Sequence, residues 1–130
     1  MEEPTWIRTH WVHVVHEDQI EQHGGSKGVR DEALLESALA RARNRWEDGD
    51  EPDLAELAAA YGYGLAINHP SVDGNKRTAF QITYAFLLVN GARIDVEEPE
   101  VVDLMRGLAA GAVSESELAA WIRTHLHGKG

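Results

Sequence analysis

The sequence contains no cysteine, which excludes a disulfide framework and any thiolate metal site. No apolar run approaches the ~20 residues that span a bilayer, and the opening Met-Glu-Glu-Pro-Thr-Trp lacks the basic start and apolar stretch of a secretory leader. These absences set the expectation of a cytoplasmic protein with no membrane partner. Positive charge is also scarce: 12 Lys and Arg stand against 22 Asp and Glu, a formal net charge of −10. That balance argues against direct nucleic-acid binding, because such proteins carry a basic patch over the phosphate backbone. Any anion held by this chain must be held by local cations and backbone N–H groups, against the overall field.

The chain has 130 residues and 43% hydrophobic content, which predicts one globular domain over 1–130 with a buried core. Its punctuation predicts a series of helices. Residues 12–23 read as a helix stopped by Gly24 and Gly25. Asp31 is placed to cap a second helix, in which Leu34, Leu35, Ala38, Leu39 and Ala42 fall at helical spacing. The Asp53-Leu54-Ala55-Glu56 stretch resembles a capping box, and Leu54, Leu57, Ala58, Tyr61 and Leu65 continue it as an apolar stripe ending near His69. Residues 75–90 are apolar nearly all round, which predicts a helix buried at the centre of a bundle, with Gly91 just past its end. Pro99 suits the first turn of a further helix, and Ser114 with Glu117 forms a capping box before a last one. Residues 92–96 alternate briefly and have no obvious strand partner. The fold class predicted is therefore all-α, a compact helical bundle with helix 75–90 as its axle.

The chemistry concentrates in the run His69-Pro70-Ser71-Val72-Asp73-Gly74-Asn75-Lys76-Arg77-Thr78, just ahead of and into that helix. A helix N-terminus presents unpaired N–H groups and roughly +0.5 of partial charge, which suits phosphate. Gly74 lets the backbone approach a ligand without a Cβ in the way. Arg77 offers a fork that matches phosphate oxygens, and Lys76 a point charge. Asp73 supplies a hard oxygen suited to Mg²⁺ beside phosphates. His69 is the residue type that accepts a hydroxyl proton near neutral pH. Each has a plainer use as a cap or a solvated face, but cations at a helix N-terminus oppose its dipole, and a bound anion relieves that. His10, His13 and His16 recur every three residues and read as the polar side of an amphipathic helix in preference to a metal site. Trp6, Trp11, Trp46 and Trp121 read as core or interface residues, and Arg30 and Asp31 as a possible border of the site.

The run resembles the signature of the Fic/Doc family, and within it the death-on-curing branch, whose pattern is roughly H-x-F-x-D/N-A/G-N-K-R-T. The similarity extends from about Val14 to Leu126, including the glycine-containing segment 23–32 and the helix ending in Asn90-Gly91. The resemblance implies a compact helical bundle acting as the toxin of a type II toxin–antitoxin system. It implies an ATP- and Mg²⁺-dependent kinase that phosphorylates a threonine or serine of a translation factor similar to elongation factor Tu. The partner implied is an antitoxin with a segment that folds on binding. Carried onto this chain, His69 is the general base, Asp73 binds Mg²⁺, and Gly74, Asn75, Lys76 and Arg77 hold the nucleotide, with Arg77 also stabilising charge during transfer. The AMP-transferring branch resembles H-P-F-x-x-G-N-G-R-x-x-R. This chain has Lys76 at the second-glycine position and Phe80 at the final arginine, which favours phosphoryl transfer over the alternative of nucleotidyl transfer. The family's Phe is replaced by Ser71, which removes an apolar anchor and keeps a third reading open, a catalytically weak module that binds an antitoxin and regulates the operon.

Overall fold

The computed structural model describes residues 1–25, 28, 31–68 and 75–128, the side chain of Glu98 excepted. Six α-helices and two short strands occur among the described residues: α1 (Thr9–His23), α2 (Glu32–Glu47), α3 (Leu54–Asn68), α4 (Asn75–Val89), β1 (Ala92–Ile94), α5 (Glu98–Ala109), α6 (Glu115–His125) and β2 (Leu126–Gly128).

Local chemistry sets most of these boundaries. Helix α1 ends where Gly24 adopts a φ of 81°, and the Gly24 N–H donates to the Ile20 carbonyl at 2.7 Å. The Asp31 carboxylate accepts from the N–H groups of Ala33 and Leu34, satisfying donors that would otherwise lack partners at the start of α2. Asp53 does the same for α3 by accepting from the Glu56 N–H at 2.8 Å. At α6 the capping box is complete: Ser114 Oγ accepts from the Glu117 N–H, and the Glu117 carboxylate accepts from the Ser114 N–H, both at 3.1 Å. Pro99 lies in the first turn of α5, as its missing N–H allows.

The all-α expectation holds, with one addition. β1, for which the sequence shows no obvious partner, pairs antiparallel with β2 in the register Ala92↔Gly128, Arg93↔His127, Ile94↔Leu126. Gly128 closes this pair at a φ of 95°, where an added Cβ would lie 2.8 Å from the Gly91 carbonyl oxygen.

Helix α4 is buried along one face, with Ala79, Ile82, Phe86 and Leu87 inaccessible, while Leu88 and Val89 near its end are about half exposed. The more deeply buried helix is α3, from Leu54 through Ala66. Its small residues explain this, since helices approach as closely as the side chains between them allow. A Cβ at Gly62 would fall 2.6 Å from Thr83 Oγ1 of α4, and one at Gly64 would fall 3.2 Å from the Ala38 carbonyl oxygen of α2. Around this contact the aromatic rings close the core: Trp6 stacks on Phe86 at 6.2 Å, and Phe86 meets Tyr61 at 5.0 Å. All four tryptophans are partly buried against the core, as the sequence predicts.

Candidate active site at the start of α4

The packing of α4 against α3 fixes where the first turn of α4 emerges. That turn carries Asn75, Lys76 and Arg77. Asn75 is half-buried, and Lys76 and Arg77 are exposed. The remaining members of the expected site, His69, Asp73 and Gly74, lie outside the described residues, together with Pro70, Ser71 and Val72.

No acidic residue occupies the first turn of α4, and neither Lys76 nor Arg77 joins an ion pair among the described residues. Two adjacent cations thus sit at the positive end of a helix dipole with nothing described to balance them, an arrangement that a bound polyanion relieves. Three other arginines do pair with carboxylates. Arg41 and Arg45 both reach Glu115, Arg45 also reaches Glu56 at 3.0 Å, and Arg123 bridges Glu56 and Asp53. Burial pushes the Asp53 carboxyl up, but the hydrogen bonds from Arg123 and the Glu56 N–H, with the Arg123 charge, outweigh it and hold the group below its ordinary value.

The next residue, Thr78, is 3% exposed, and its hydroxyl has no hydrogen-bond partner among the described residues. Thr83, equally buried on the same helix, donates to the Ala79 carbonyl at 2.7 Å.

Arg77 lines a cleft of about 570 Å³ between the end of α1, the outer face of α4, and the β1–α5 segment. Phe80 and Tyr84 form its aromatic wall, stacked at 6.2 Å with an interplanar angle of 27°. Gln19, Gln22 and Gln81 supply amides. Beyond Arg77 and Phe80 the motif does not point to these residues, although Arg77, Gln81 and Tyr84 are spaced i, i+4, i+7 and so share one helix face. The structure thus brings Asn75, Lys76 and Arg77 together in one turn beside a cleft. Lys76 and Arg77 with the helix N–H groups form a donor set that fits the phosphates of a nucleotide.

Other sequence candidates resolve into structural roles. His10 is exposed and His13 lies 3.5 Å from Glu32, but His16 is buried in α1 and so departs from the polar side on which the spacing places all three. Among the described residues no three His, Asp or Glu side chains gather as a metal site. Asp31 caps α2, and Arg30 lies outside the described residues. No described helix is long and apolar enough to cross a membrane.

Comparison with known proteins points the same way. A profile of the Fic/DOC family matches residues 6–87, which span α1 to most of α4. The chain is 34% identical over 109 residues to "Protein kinase doc" of Escherichia phage P1, covering 84% of this chain and 86% of that protein. It is 39% identical over 100 residues to "Toxin Doc" of Mycolicibacterium smegmatis, covering 75% and 77%.

Proposed function

This chain belongs to the Fic/DOC family, and from that membership we propose that it is the toxin of a type II toxin–antitoxin pair. In this reading it acts as one domain in the cytoplasm, as an ATP-dependent kinase of a threonine or serine hydroxyl on a translation factor similar to elongation factor Tu. Its restraint comes from an antitoxin with a segment that folds on binding. The observation that carries the reading is the pair Lys76–Arg77, which has no ion-pair partner among the described residues, at the N-terminus of α4 where Arg77 borders a cleft. The printed names of the relatives, a protein kinase and a toxin, support it.

The reaction divides among the residues as follows. His69 takes the proton of the acceptor hydroxyl, so that its oxygen attacks the γ-phosphorus. The new oxygen–phosphorus bond forms as the bond to the β,γ-bridging oxygen breaks, and ADP leaves with that electron pair. Lys76, the N–H groups of Gly74 and Asn75, and the Asn75 side chain hold and orient the phosphates. Arg77 stabilises the charge that spreads over the transferred group. Asp73 would hold Mg²⁺, which supplies charge neutralisation between the phosphates when bound.

Translation extract supplied with the purified protein and ATP tests this reading. We expect protein synthesis to stop with the wild type, and to continue at ~10²-fold slower onset of inhibition with His69→Ala, the usual scale for a positioned base. Equal inhibition by the two proteins contradicts the base role, and no inhibition by the wild type contradicts the toxin reading.

A further inference from the structure

We propose that Asn68 is a positioning residue for His69, an inference that rests on the base reading above. Asn68 is the last residue of α3, and His69 follows it by one peptide bond. The chain turns only through two soft dihedrals per residue, so the place and angle at which α3 stops limit where the imidazole can be carried. A helix end left to itself sets that place poorly, because its last carbonyls have no partner within the helix and its last turn frays.

The half-buried Asn68 side chain ties this end to α2. Its Nδ2 donates to the Leu34 carbonyl oxygen at 3.0 Å. One turn back on α3, a Cβ at Gly64 would fall 3.2 Å from the Ala38 carbonyl oxygen, one turn further along α2. The two contacts are therefore successive rungs of one antiparallel seam, with a step of one turn on each helix. Close approach at Gly64 sets the distance between the helices. The Asn68 amide sets their rotation and axial register, because a hydrogen bond is directional and apolar contact is not. The far end of the bond is itself held: Leu34 lies in the first turn of α2, where its N–H donates to the Asp31 carboxylate at 3.2 Å. Inside a helix the Leu34 oxygen accepts the N–H four residues on and keeps a second lone pair. Removing the Asn68 amide therefore orphans no carbonyl, and the loss falls on geometry more than on folding.

The test is transfer of the γ-phosphate of ATP to protein in desalted translation extract, by the full chain as wild type, Asn68→Leu, His69→Ala and the double variant. Leucine keeps the size of the side chain and removes the donor. Asn68→Leu is expected to lower the rate at saturating ATP by about 10- to 100-fold, the scale of a reacting group displaced by about 1 Å, with the half-saturating ATP concentration unchanged. The double variant is expected to match His69→Ala alone, because a residue that acts through the base then has nothing to act on. Full transfer by Asn68→Leu overturns the inference and leaves the base reading standing. So does a double variant slower than His69→Ala by the whole factor lost in Asn68→Leu. Should Asn68→Leu fail to fold, Asn68→Asp takes its place in the cycle, being of equal size and, as a carboxylate at neutral pH, without a donor. Transfer by His69→Ala at the wild-type rate, or none by the wild type, removes the base reading and this inference with it.

Discussion

The backbone N–H of Ile7 donates to the Tyr61 hydroxyl at 3.0 Å, joining residues 54 positions apart in a buried hydrogen bond. The bond ties the segment before α1 to the most deeply buried helix. Tyr61→Phe leaves that N–H buried and unpaired, at a cost of about 1–3 kcal/mol. Urea unfolding at neutral pH is expected to show a lower midpoint with unchanged slope, and an unchanged midpoint contradicts the prediction. Burial raises the Tyr61 pKa above 10.0, against smaller opposing effects of the Ile7 N–H and Arg43. Its contribution is therefore complete below pH 10.0 and is lost as pH rises through the higher folded value. Tyr61→Phe should remove that part of the alkaline decline.

Gly62 and Gly64 are expected to resist alanine despite their helical setting. Glycine to alanine inside a helix ordinarily gains about 1 kcal/mol. Here the new Cβ meets Thr83 Oγ1 at 2.6 Å or the Ala38 backbone oxygen at 3.2 Å. Thr83 is held by its own hydrogen bond to Ala79, and the Ala38 oxygen belongs to a helix backbone, so neither yields cheaply. Net losses of about 1–3 kcal/mol are predicted for Gly62→Ala, with a smaller loss for Gly64→Ala. Thermal unfolding of the two variants checks this, and a rise in either midpoint contradicts the account of close helix approach.

The features legible in the sequence are those fixed within a few residues of chain. Asp31, Asp53 and the Ser114–Glu117 pair announce helix starts because each cap bonds an N–H two or three residues on. Gly24 and Gly91 mark ends because both adopt positive φ. What depended on distant partners was less legible. The pairing of Ala92 with Gly128 crosses the whole of α5 and α6. The deep burial of α3 leaves little trace in the sequence because alanine and glycine add little apolar signal, although their smallness lets the neighbouring helices close in. At the candidate site, Asn75, Lys76 and Arg77 were legible from one short motif. The cleft was not, since Gln19, Tyr84 and Asp95 come from three separate segments.

Arg123 donates to Asp53 at 2.7 Å, and this bond, with the Glu56 N–H, lowers the Asp53 pKa despite burial. The contribution is complete above pH 3.8 and is lost as pH falls through the lower folded value. Both side chains are nearly half exposed, so solvent screening limits the pair to under about 1 kcal/mol. Arg123→Met should lower stability slightly at pH 7 and flatten the acid limb of a stability–pH curve. A full-sized acid limb in the variant contradicts the assignment to this pair.

Thr78→Val replaces a buried hydroxyl that has no partner among the described residues by a methyl group of the same shape. An unpaired buried hydroxyl costs about 1–3 kcal/mol, so the valine variant is expected to unfold at the same midpoint as the wild type or higher. A loss of more than about 1 kcal/mol shows that the hydroxyl is satisfied in the folded protein.

The central claim is that the start of α4 serves phosphoryl transfer. ATP labelled at the γ- or the α-phosphate, incubated with the purified wild type or with His69→Ala in translation extract, tests it most directly. The account predicts label from the γ-position alone on a translation factor, lost in His69→Ala. Label from the α-position would make the reaction nucleotidyl transfer, in spite of Lys76 and Phe80, and contradict the account. Label from neither position would contradict it too, and would make Ser71→Phe the first variant to assay for restored transfer.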